Sequence, residues 1–192
     1  MSIFQMYLEI GIKHIADFKG YDHILFLISL MAPFQFYQWK KILKLITAFT
    51  LGHSISLALS ALHIIQFSIP IIEWLIPITI LLTATVNISI SKPSVSKLYT
   101  YEYLITLVFG LIHGMGFSVL LSSLLGMEQS IILPLAAFNI GIEIGQIIIV
   151  SVILAVGFIV NKYAKLGEYW KYSLSVVALI TSAFLIIDRW PF

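Results

Sequence analysis

The 192-residue chain contains no cysteine. Disulfides and thiolate metal sites are thereby excluded, and any metal must be held by imidazole, carboxylate or amide groups. Charge is also scarce. Only 10% of the residues are Asp, Glu, Lys or Arg, against about 25% in an ordinary soluble domain. Such a chain cannot cover a water-facing surface, so a single integral membrane domain spanning residues 1–192 is expected. There is no basic run suited to nucleic acid and no acidic tail, and the net charge of +2 points to no charged partner. The N-terminus lacks the basic and apolar regions of a cleaved signal peptide, so none is expected. No internal repeat, low-complexity tract or linker is visible. The missing repeat counts weakly against a conventional secondary transporter, a class often built of inverted repeats.

What the chain does have is apolar sequence: 60% hydrophobic residues and a mean hydropathy of +1.03. Apolar segments run 22–37, 45–66, 72–91, 101–125, 131–160 and 172–189. They predict an all-α, polytopic transmembrane bundle of about six spans. The stretch from Phe4 to Asp17 reads as an amphipathic or partly inserted N-terminal helix, and Lys19-Gly20 turns the chain before Asp22. Lys40, Lys41 and Lys44, then Lys92 and Lys97, then Lys162, Lys165 and Lys171 follow alternate segments. By the positive-inside rule these loops are cytoplasmic and both termini lie outside. Trp39 and Trp170 with Tyr99, Tyr101 and Tyr103 fall at expected inner ends, and Trp74 and Trp190 at expected outer ends, as interfacial belts do.

Against this background a few polar groups stand out. An ionisable side chain at membrane depth costs roughly 2.5–3.5 kcal/mol on insertion scales unless it gains a partner, a metal or a water cavity. Counting helix rise from the segment ends puts His113 and Glu143 near mid-depth and His53 in the inner half or centre. His14, Asp22 and His23 sit toward the outer side, completing a polar column. Asn139, Glu143 and Gln146 are spaced by four and three and share one helix face. Gly141 with Gly145, and Gly110 with Gly114, are small-residue pairs that let a neighbouring helix come close. Ser54 follows His53 directly. Asn87 is expected to be helix glue, Glu73 interfacial, and His63 interfacial filler. Asp22 beside His23 can orient the imidazole or coordinate a metal itself. The candidate metal ligands are therefore His14, Asp22, His23, His53, His113 and Glu143, with Ser54, Asn139 and Gln146 as supporting polar groups.

Taken together, these motifs resemble the HupE/UreJ family of small bacterial membrane proteins. The resemblance rests on Gly20-Tyr21-Asp22-His23-Ile24-Leu25-Phe26 and on Thr47-Ala48-Phe49-Thr50-Leu51-Gly52-His53-Ser54. It continues in His113-Gly114-Met115-Gly116-Phe117 and in Phe138-Asn139-Ile140-Gly141-Ile142-Glu143-Ile144-Gly145-Gln146. The motifs follow in family order across most of the chain. The founding members are regarded as nickel or cobalt permeases serving hydrogenase and urease maturation, so the resemblance implies metal handling in the bacterial inner membrane. In the family pattern a His precedes Asp-His by five residues; here the spacer from His14 to Asp22-His23 is longer.

Three functions are compatible with these residues. In a permease for Ni²⁺ or Co²⁺, the outer group captures the ion and His53, His113 and Glu143 bind it at mid-depth. Six spans offer little to rock against one another, which favours a homo-oligomer. In an intramembrane zinc hydrolase, the histidines hold Zn²⁺ with an open position and Glu143 or Asp22 is the general base, with a lipid or lipid-linked substrate. In a non-catalytic protein, the buried His and Glu form a proton or structural network. Nothing supports nucleotide use: no strand precedes the lone Gly114-x-Gly116.

Overall fold

The computed structural model describes residues 1–17, 20–65, 68–89, 98–126, 128 and 130–191. Lys19, Lys92, Lys97 and the side chain of Tyr99 lie outside the described residues. The described elements are helical: α1 (Ile3–Ile15), α2 (Asp22–Met31), a 3-10 turn (Phe36–Gln38), α3 (Trp39–Ala61), α4 (Ile69–Ser89), α5 (Leu98–Leu125), α6 (Ile132–Ile159) continued by a π turn (Val160–Ala164), and α7 (Gly167–Asp188). No strand occurs among the described residues. Five helical stretches are long and apolar enough to cross a membrane: Phe36–Ala61, Ile69–Ser89, Tyr101–Leu125, Ile132–Ala164 and Tyr169–Asp188. Leu51, Val86, Leu104, Val119, Val152 and Phe184 are among many large apolar side chains left exposed on the bundle. In water so wide an apolar surface would drive association; facing lipid tails it costs nothing.

Local chemistry explains the boundaries. Ser2 caps α1, accepting from the Gln5 amide while the Gln5 side chain accepts from the Ser2 amide. α2 stops just before Pro33, which has no N–H to donate back to the Ser29 carbonyl and so does not continue the helix. The first apolar segment, expected to reach residue 37, is therefore shorter. α3 in turn begins at Trp39, six residues before the apolar run expected at Leu45. Its first turns carry Lys40, Lys41 and Lys44, whose long stems suit an interfacial helix end while their charges depress an averaged hydropathy. His63 takes a left-handed φ of 56° beyond the end of α3 and is exposed, away from the other histidines.

Contacts fix the helix directions. α3 and α5 run parallel: a Cβ added at Gly110 would collide with the Phe49 carbonyl, one at Gly52 with the Leu107 carbonyl, and one at Gly114 with Ser56 Oγ and the His53 carbonyl. α1 and α6 run parallel in the same manner: Gly11 meets the Phe138 carbonyl and Gly141 the Leu8 carbonyl. α4 and α7 pack antiparallel, with Trp74 Nε1 donating to the Ile186 carbonyl at 3.1 Å. Trp74 also packs edge-on against Trp190, centroids 5.3 Å apart. Asn87 on α4 donates to the Ser29 carbonyl on α2 at 2.7 Å, the interhelical role expected of it. Tyr7, early in α1, bonds Leu124 and Glu128 at the far end of α5. α1 thus runs from that end to the middle of the bundle, and α2 leads from the middle to the end where Lys41 pairs with Glu102.

The glycine contacts are backbone against backbone, so no rotamer change can relieve a clash there. Gly52→Ala and Gly141→Ala should each lower thermal stability in detergent by about 1–3 kcal/mol, the usual cost of overpacking. Alanine is the better helix former by about 1 kcal/mol, so a net loss reports crowding. Gly126→Ala, whose added Cβ meets nothing nearer than 3.4 Å, is the control. Equal melting of Gly52→Ala and Gly126→Ala would contradict the packing.

Candidate functional site

Four imidazoles converge at mid-bundle. His14 is the second-last residue of α1 and His23 lies in the first turn of α2, so the turn between these helices delivers both. His53 follows Gly52 at the α3–α5 contact, and His113 follows Gly110 by three on α5. Ring centroids are 4.6 Å apart for His14 and His23, 5.6 Å for His14 and His53, 5.8 Å for His23 and His53, and 5.2 Å for His23 and His113. One ring nitrogen from each of His14, His23 and His53 lies within 4.8 Å of the other two. His113 stands behind His23 as the neighbour of this trio.

The surroundings are apolar. His53 and His113 are 0% exposed and His23 7%, while His14 is half-buried. Phe117 and Phe138 stack at 5.3 Å and wall one side, and His14 lies over Phe117 at 3.9 Å. Phe49 closes another side, 5.2 Å from His113. Both ring nitrogens of His53 lack a hydrogen-bond partner, as do His14 Nε2, His23 Nε2 and His113 Nδ1. A neutral imidazole carries one donor and one acceptor. Buried without partners, such groups cost roughly 1–3 kcal/mol each. The donor set of the trio, three imidazoles with no carboxylate or thiolate, is of the kind that suits a divalent cation.

His113 is held in one tautomer. Thr79 has a single hydroxyl proton, which it donates to the Ile76 carbonyl at 2.7 Å. The 3.0 Å contact between Thr79 Oγ1 and His113 Nε2 must then be donated by the imidazole. That puts the proton on Nε2 and leaves the Nδ1 lone pair free. Fixing a ligand's tautomer through its other nitrogen is the usual work of an outer-layer partner.

The carboxylates expected at the site each have another bonded partner. Asp22 Oδ2 pairs with Arg189 at 3.0 Å, and Arg189 also reaches the Glu73 carbonyl at 3.5 Å, so Asp22 is tied to the end of α7. Its Oδ1 is buried without a partner. Glu143 accepts from Thr47 Oγ1 at 2.7 Å, across the α3–α6 contact. Thr47 lies six residues before His53 on α3, roughly 9 Å along the axis at 1.5 Å per residue. Gln146 accepts from Thr50 at 2.8 Å, and its Nε2 is buried without a partner, as is Asn139 Oδ1. Ser54 donates to the Thr50 carbonyl at 2.6 Å, a back-bond within its own helix. Two groups were missed from the sequence. Thr79 looked like one hydroxyl among many, and only its height opposite His113 marks it. Arg189, near the other end of the chain, is the cation that a lone Asp22 requires.

The tautomer can be read directly. Nitrogen-15 spectra of histidine-labelled protein should show His113 protonated at Nε2, and Thr79→Val should abolish that preference. A His113 protonated at Nδ1 in the unsubstituted protein would contradict the assignment.

The comparisons agree with the residues. The family model described as HupE / UreJ protein matches residues 1–189. No curated protein and no solved structure matches the chain. With that match running over nearly its whole length, the chain belongs to the HupE/UreJ family.

Proposed function

We propose that the chain is a divalent metal-ion permease of the nickel or cobalt type. It would lie in the bacterial inner membrane with its lysine-bearing end toward the cytoplasm. The observation that carries this reading is the trio of His14, His23 and His53: three imidazoles from three helices, meeting in an apolar bundle with unpartnered nitrogens. Imidazole suits Ni²⁺, Co²⁺ and Zn²⁺. The trio includes no thiolate or carboxylate, so it offers donors without the anionic charge that would hold a cation permanently. Modest affinity is what cargo requires. His113, with its Nδ1 lone pair free, is a further donor beside His23.

The zinc-hydrolase reading needs a general base beside the metal-bound water. Asp22 is paired with Arg189 and Glu143 bonds Thr47, so neither stands in the trio. The proton-network reading needs linked rings, and among the described residues no hydrogen bond joins the histidines. Both observations favour the permease.

Elemental analysis of detergent-purified protein loaded with Ni²⁺ or Co²⁺ should give stoichiometric, exchangeable metal. His53→Ala should lose it and Glu143→Ala should keep it. The unsubstituted protein should pass the same ion into proteoliposomes. Tightly retained zinc without flux would shift the assignment to an enzyme; no metal under any loading would end the permease reading.

A further inference from the structure

The two close-packed helix pairs make corresponding contacts. On α1, Gly11-Ile12-Lys13-His14 corresponds to Gly110-Leu111-Ile112-His113 on α5. On α3, Ala48-Phe49-Thr50-Leu51-Gly52 corresponds to Ala137-Phe138-Asn139-Ile140-Gly141 on α6. The contacts obey the same correspondence. A Cβ at Gly11 meets the Phe138 carbonyl, and at Gly110 the Phe49 carbonyl. A Cβ at Gly141 meets the Leu8 carbonyl and the Ile12 amide, and at Gly52 the Leu107 carbonyl and the Leu111 amide. His14 lies 5.8 Å from Phe138, and His113 lies 5.2 Å from Phe49.

The two pairs point in opposite directions. His14 meets Phe117 and Tyr7 meets Leu124, so α1 is antiparallel to α5. The pair α1 with α6 therefore runs against the pair α3 with α5. The remaining long helices, α4 and α7, pair antiparallel with each other, as equivalent elements must across a two-fold axis. The chain is thus two inverted copies of one unit, residues 3–89 and 98–188, and its lack of a visible repeat is an expectation the contacts correct. Inserted residues hid it: α1 and α2 are separate helices joined by 16–21, whereas α5 runs on unbroken through Gly114-Met115-Gly116. His14 and His113 are mates in this symmetry, and His23 sits between them, 4.6 and 5.2 Å away.

The copies share a backbone plan but differ in burial. His14 is half-buried, and Lys13 beside it is exposed. Its mate His113 is 0% exposed. The two mates thus differ in burial, so the two copies are not in the same state. An ion site at the meeting of inverted repeats whose halves differ is the arrangement from which alternating access arises.

We propose that this protein is an alternating-access carrier rather than a channel, and that its second state is this one with the two copies exchanged. In that state α5 loosens at Gly114–Gly116, where two glycines weaken the helix, His113 becomes accessible from the lysine-bearing end, and His14 is buried. The proposal deepens the permease reading and rests on it for the identity of the cargo, but the exchange itself can be tested without metal.

The absence of cysteine makes the test direct. In the full chain in sealed vesicles, Lys13→Cys and its mate Ile112→Cys are placed singly and together. Each is probed with a membrane-impermeant maleimide from each side. Lys13→Cys should react from the end bearing the chain termini and Ile112→Cys from the lysine-bearing end. In the double variant, a bulky maleimide on the first position should trap the present state and slow labelling of the second at least tenfold. Should that pair fold poorly, Glu9→Cys with Val108→Cys tests the same relation. An Ile112→Cys that never reacts from the lysine-bearing end, or that reacts regardless of the first position, overturns the proposal. Metal flux by the unsubstituted protein separates the two claims. Flux with uncoupled labelling leaves a permease without the exchange. Coupled labelling without flux leaves the exchange and removes the metal as cargo.

Discussion

Four glycines let two pairs of helices touch backbone to backbone, and the imidazole cluster depends on that approach. Gly52 and Gly110 seat α3 against α5, and Gly11 and Gly141 seat α1 against α6. His53 is adjacent to one of these glycines, and His14 and His113 each follow one by three residues. A larger residue at any of the four contacts would push a helix outward and carry its histidine away from the others. In a bilayer no hydrophobic force draws helices together, so such small-residue contacts do the work of association. The same contacts that hold the bundle thus set the spacing of the site.

Partnering sorts the buried polar groups into two kinds. Glu143 with Thr47, Gln146 with Thr50 and Asp22 with Arg189 each have a bonded neighbour. The trio of His14, His23 and His53 has nitrogens with none. Polar groups that cement helices are expected to satisfy one another; groups awaiting a ligand are not. Gln146 Nε2 and Asp22 Oδ1 are also unpartnered, but only the histidines bring such atoms from three helices together, which is why the proposed binding site is placed there.

Much of this was legible in the sequence. Hydropathy found the long helices, most closely the fifth segment, expected at 131–160 and observed as Ile132–Ile159. The identity of the histidines as the unusual residues was legible because charge at membrane depth is expensive. Relative height was legible only in part: His113 lies level with the other histidines, whereas Glu143 bonds Thr47, six residues before His53 on α3. Azimuth was not, since it depends on which faces meet. Glu143 turned out to face Thr47 rather than the histidines. Close approach at Gly141 and Gly110 was foreseeable from the small-residue spacing, but not that the partners would be α1 and α3. Glu143 and Asp22 had looked like ligands because a carboxylate is an apt one, and the helices assigned them other neighbours. The repeat escaped notice because the spacing between the two motifs differs by ten residues between the copies and they share only a few residues.

X-ray absorption at the metal edge of the loaded protein tests the central claim most directly, namely that imidazoles from α1, α2 and α3 jointly hold the cation. The account predicts a first shell with about three nitrogen ligands near 2.0–2.1 Å when zinc is the probe, accompanied by the outer-ring scattering of imidazole. That scattering should diminish in His53→Ala and persist in Glu143→Ala. A shell of oxygen ligands without imidazole scattering would contradict it.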